Sequence, residues 1–124
     1  MDVTAISYAM GVGRILIGLA PIVAPAASSK LLRFPAEHDN ASARLMGRFF
    51  GVRDIGLGVL VMYATRDLSL LRWVFLFQAA TDAADALSIA PLLRDPKMRK
   101  AGAASMTFAL GGGSLWLIVR ALAG

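Results

Sequence analysis

Four apolar runs constrain this chain more than any other feature. They lie at about residues 5–26, 45–64, 70–92 and 103–122 of a 124-residue sequence. Each is close to the roughly 20 residues that a helix needs to cross a hydrocarbon core about 30 Å thick. None alternates apolar and polar residues with period two, which argues against a membrane barrel. Hydrophobic residues make up 57% of the chain, against about 45–50% in ordinary soluble domains, and the mean hydropathy is +0.65. The expected fold is all-α: an integral membrane bundle of four transmembrane helices forming one domain over residues 1–124, with both termini on the same side.

The connections carry their own signals. Asp39, Asn40 and Ser42 are candidate caps for the second helix, and Asp95-Pro96 reads as the start of the fourth. The short link from Thr65 to Ser69 forces the second and third helices into an antiparallel hairpin. The stretch from Ser28 to Phe34, SSKLLRF, mixes apolar and basic residues and suits a membrane surface. The first run lacks a positive n-region and is interrupted by Arg14, so it is read as a retained helix and not a cleaved signal. The first and third connections hold Lys30, Arg33, Arg44, Arg94, Lys97, Arg99 and Lys100; the other side holds Arg66, Arg72 and Arg120. This asymmetry places the first and third connections in the cytoplasm and both termini outside a bacterial cytoplasmic (inner) membrane. It also accounts for the net charge of +5 without nucleic acid, and it favours anionic membrane lipids as partners.

Charges nevertheless occur inside the runs. At 1.5 Å per residue, Arg53 and Asp54 lie about 14 Å from the cytoplasmic end of their helix, near the midplane. Arg14 and Asp82 fall at matching depth, while Arg48 and Asp85 lie about a turn nearer the cytoplasm. The six charges sum to zero. A lone charge at the bilayer centre costs about 2.5–3.5 kcal/mol or more, so mutual pairing is expected, with Arg48 level with Asp85. Arg44, Gly47, Arg48, Gly51, Asp54 and Gly58 share one helical sector of roughly 120°, where the glycines admit a close neighbour. Arg53 points elsewhere, toward a second neighbour. On the third helix Gln78, Thr81, Asp82, Asp85 and Ser88 form one polar stripe. Ser105, Ala109 and Gly113 give the fourth helix a small face. The cluster of Arg14, Arg48, Arg53, Asp54, Asp82, Asp85 and Gln78 has two open roles: a structural lock, or a site at which Asp82 or Asp85 accepts a proton or the cluster holds a headgroup or quinone.

Other chemistry finds little support. There is no cysteine and one histidine, His38, in a polar loop, so neither thiol catalysis nor a metal centre is expected. The GGGS at Gly111–Ser114 lacks the lysine and preceding strand of a phosphate loop and reads as helix packing. Trp73 and Trp116 read as interfacial aromatics. Nothing resembles a nucleophile or oxyanion hole, and no cofactor is implied.

The arrangement GRILIGLAPIVAP, RLMGRFFGVRDIGLG and DAADAL resembles a family of small bacterial four-helix membrane proteins of unknown function, distantly akin to the DoxX-like group. The resemblance rests on Arg48, Gly51, Arg53, Asp54, Gly58, Asp82 and Asp85. The overall character is also similar to the small accessory membrane subunit of actinobacterial Mce-type lipid importers, a lipid uptake coordinator. What the resemblance implies is a non-enzymatic accessory subunit of a larger inner-membrane complex for lipid or fatty-acid transport. The alternative is a redox-linked or proton-coupled DoxX-like protein that uses the Arg/Asp cluster.

Overall fold

The computed structural model describes residues 2–123 and contains no strand among them. Five α-helices run Val3–Val23 (α1), Pro25–Leu31 (α2), Ala41–Ala64 (α3), Leu68–Ile89 (α4) and Arg99–Leu122 (α5), with 3-10 turns at Ala36–His38 and Ala90–Arg94. The four long helices occupy the four apolar runs, and α2 is a short addition. Ala24 breaks the first run, and Pro25 starts α2 at the position where its missing N–H costs nothing. The Asp2 carboxylate caps α1, accepting from the Ala5 N–H at 3.2 Å. Asn40 is the cap of α3, accepting from the Ala43 N–H at 2.9 Å. Beside it, Arg44 donates to both carboxylate oxygens of Asp39 at 2.9 and 3.1 Å. That hydrogen-bonded guanidinium holds the Asp39 carboxyl below its ordinary range. Asp95-Pro96 does not open the last helix. Asp95 instead turns the chain by accepting from the Lys97 N–H, and α5 begins at Arg99.

Helix α1 packs along α3, and α4 along α5. The α1–α3 contact is made by backbone. The buried residues of α1 are Ser7, Gly11, Arg14 and Gly18, a spacing of four, three and four that keeps one seam facing its partner. A Cβ added to Gly18 would come within 2.5 Å of the Gly51 carbonyl oxygen, and one on Gly58 within 2.5 Å of the Gly11 carbonyl oxygen. Gly11 therefore faces Gly58 and Gly18 faces Gly51, one heptad apart on each helix. Gly47 extends the seam more loosely: a Cβ there would sit 3.4 Å from the Pro21 Cβ.

A compact apolar cluster of Val61, Ala64, Leu71, Val74, Phe75, Ala79, Trp116 and Val119 fills one end of the bundle. Val3 and Ala123 both pack against it, so the two described ends of the chain share that end. Trp116 is a core residue and not an interfacial one: it is buried and tilted against Phe75 at 5.9 Å between centroids. Trp73 is exposed. Helices α1 and α5 are long and apolar enough to cross a membrane. Helix α3 carries Arg44, Arg48, Arg53 and Asp54, and α4 carries Arg72, Asp82 and Asp85, which lowers the mean hydropathy of both.

Alanine normally stabilises a helix by about 1 kcal/mol relative to glycine. That sign is expected to reverse at the seam. Gly18→Ala and Gly51→Ala push a Cβ into facing backbone and should destabilise by about 1–3 kcal/mol. Gly56→Ala, which meets nothing within 4 Å, should stabilise. Thermal unfolding of the three variants in one detergent checks the reversal.

Candidate functional site

The site lies at mid-bundle, where α1, α3, α4 and α5 meet. Arg14 stands near the middle of α1, with Gly11 and Gly18 one turn to either side, so its long side chain leaves α1 where the helices are closest. Its guanidinium crosses to α4 and grips Asp82 with two hydrogen bonds, Nη2 to Oδ1 at 2.8 Å and Nη1 to Oδ2 at 3.2 Å. Helix α5 makes room for this pair. A Cβ on Gly112 would sit 3.2 Å from Asp82 Oδ2, and one on Gly113 would sit 3.3 Å from Asp82 Cβ. The Trp116 ring lies 5.9 Å from the Arg14 guanidinium carbon, within cation–π range.

A second guanidinium repeats the motif. Arg53 donates to both oxygens of Asp85, at 2.9 and 2.8 Å, and stacks over Phe50 at 5.0 Å. Asp54 sits between the two pairs. Its Oδ1 lies 3.5 Å from Arg14 Nη2 and 3.4 Å from Arg53 Nη2, both longer than the bidentate contacts. Burial is graded across the cluster. Asp54, Asp82 and Arg14 are 4%, 6% and 7% exposed, whereas the Arg53 and Asp85 side chains are partly open. One turn along, the fully buried Gln78 donates from Nε2 to the Leu57 carbonyl at 2.9 Å, tying α4 to α3.

Five of the six expected charges come together, and Arg48 does not. It is exposed and makes no hydrogen bond or ion pair among the described residues. The expected level pairing of Arg48 with Asp85 is replaced by Arg53 with Asp85, because Arg53 occupies both oxygens of that carboxylate. The assembled cluster thus holds two positive and three negative groups. Along the α4 stripe, Gln78, Asp82 and Asp85 reach other helices. Thr81 and Ser88 return their hydroxyls to their own helix, donating to the carbonyls of Phe77 and Ala84. Ser105 and Ala109 are half-buried, while Gly113 is buried against Asp82. Sequence reasoning missed Gly11, Gly18 and Gly112. The legible signal for the first two was a pair of glycines seven apart on each side of an arginine, matched by Gly51 and Gly58. Among the described residues no group of three His, Cys, Asp or Glu side chains is arranged to hold a metal ion.

The chain belongs to the family described as a domain of unknown function, DUF4267, which matches residues 11–123. No curated protein and no solved structure matches it.

The pairing makes a contrast within the arginines. Arg14→Ala leaves Asp82 and Asp54 buried without their main counter-charge and should cost about 3–5 kcal/mol, read as loss of folded protein on size-exclusion chromatography. Arg48→Ala, at an exposed unpaired position, should stay within about 0.5 kcal/mol of the parent.

Proposed function

We propose that this protein is a four-helix bacterial inner-membrane protein that acts, without catalysis, as an accessory subunit packed against a larger membrane complex. The observation that carries the membrane reading is the inverted burial of α1. Its inward face is Ser7, Gly11, Arg14 and Gly18, while Val12, Leu16, Ile17 and Leu19 are exposed. In water such a helix would leave most of its large apolar residues exposed, burying only parts of Val3, Ile6 and Met10 against the core. In lipid the same arrangement is favoured, because small residues allow close approach and the polar groups find partners inside. The other long helices also turn large apolar residues outward, among them Phe49, Val52, Val59, Phe77, Leu87, Phe108 and Leu115. The accessible surface is 7610 Å², against about 6,400 Å² for a compact soluble protein of this mass.

The lock made by Arg14, Asp82, Arg53 and Asp85 supports crossing by α3 and α4 as well, because their mid-helix charges pair within the bundle, while the exposed Arg44 and Arg48 lie in the first two turns of α3. The Lys/Arg asymmetry supports termini outside and the first and third connections in the cytoplasm. Outward glycines support a partner. Gly56 on α3 and Gly111 on α5 are exposed and meet nothing within 4 Å, which leaves room for a foreign helix to approach. The resemblance to Mce-type accessory subunits supplies the partner class, a lipid importer.

Mild-detergent purification of a tagged chain should recover larger membrane subunits in fixed stoichiometry. Gly56→Leu and Gly111→Leu should fold normally and lose those subunits. Recovery of the chain alone, together with unchanged lipid uptake in a deletion strain, would count against the accessory reading.

A further inference from the structure

We propose that the buried cluster binds one proton, carried by Asp54. The inference does not depend on any partner complex. Two guanidiniums face three carboxylates, and the two short bidentate pairs engage both oxygens of Asp82 and of Asp85. Asp54 is left as the odd acid. Only its Oδ1 is approached, by a long hydrogen bond from Arg53 Nη2 at 3.4 Å and by Arg14 Nη2 at 3.5 Å, both nitrogens making their shorter bonds to other carboxylates.

The charges around Asp54 are Arg14 from α1, Arg53 from its own helix, and Asp82 and Asp85 from α4. Helix α5 contributes Gly112, Gly113 and Trp116 and no charge. Arg48 does not reach the cluster to neutralise it. With two guanidiniums shared among three carboxylates, the surplus negative charge falls at a 4% exposed position, where it is costly. One proton from bulk water removes that charge, forming one carboxyl O–H bond and leaving hydroxide to the solvent. The protonated acid also gains an O–H donor.

Two further buried polar groups at this level are left unpartnered, so the cluster is not fully satisfied as it stands. Arg14 Nε is a buried donor and Gln78 Oε1 a buried acceptor, and neither has a hydrogen-bond partner among the described residues. Arg14 itself borders Asp54. Gln78 stands one turn from Asp82, and its Nε2 grips Leu57, one turn beyond Asp54. The partly open Arg53–Asp85 edge gives the proton a route in.

The test is infrared difference spectroscopy of the purified full chain in lipid nanodiscs, scanned from acid to alkaline pH in H2O and D2O. The parent should show the C=O stretch of one protonated carboxylic acid near neutral pH, and Asp54→Asn should lose it. Because asparagine mimics the neutral acid, Asp54→Asn should also keep the parent's melting temperature, while Asp82→Asn should lower it. The proposal is overturned by a parent without that band, by a band that survives Asp54→Asn, or by an Asp54→Asn variant that fails to fold. A melting temperature that rises with sodium in a protein lacking the band would assign the missing charge to a cation and equally overturn it.

Discussion

The bidentate grip of Arg14 on Asp82 is the interaction on which the rest of this bundle depends. It joins the α1–α3 unit to the α4–α5 unit across the middle of the molecule. It is possible only because both sides have given up side-chain volume. On α1 the arginine is flanked by Gly11 and Gly18, which let α3 approach to backbone contact. On α5, Gly112 and Gly113 clear the space that the Asp82 carboxylate fills. A guanidinium suits this position because it presents two parallel donors and does not deprotonate. Lysine would offer one point charge and could be neutralised.

Much of this architecture is legible in the amino-acid sequence. The four long helices follow from the apolar runs, and the tight α3–α4 hairpin follows from the few residues between them. The inward course of Arg14, Asp54 and Asp82 follows from the cost of leaving charges unpaired within apolar segments. Helix ends were less legible, because Asp95-Pro96 serves a turn as readily as a helix start and only tertiary context decides. Trp116 was misread for a related reason. Depth alone suggests an interfacial aromatic, whereas its ring is needed between Phe75 and Arg14.

Arg48 shows where helical phase runs out. It shares a sector with Gly51 and Asp54, and its inclusion gave a neutral set of six. What decides its place is the stoichiometry of hydrogen bonds, since each inward guanidinium takes both oxygens of one aspartate. The third carboxylate, Asp54, is approached by Arg14 and Arg53 and not by Arg48. Net charge inside such a bundle is therefore fixed by pairing geometry and cannot be read from the sum of nearby residues.

The order of the elements along the chain has a consequence for biogenesis. Helix α1 emerges first and brings a single positive charge, Arg14, with no partner of its own. Helix α3 follows with Arg53 and Asp54, so the half-made product still carries an excess positive charge at mid-depth. Only α4, arriving with Asp82 and Asp85, supplies both bidentate acceptors. In the proposed membrane setting, a nascent chain of this kind has no bidentate partner for its inward arginines until α4 arrives. There it would be held beside the insertion machinery, or shielded by a neighbour, until that segment supplies Asp82 and Asp85.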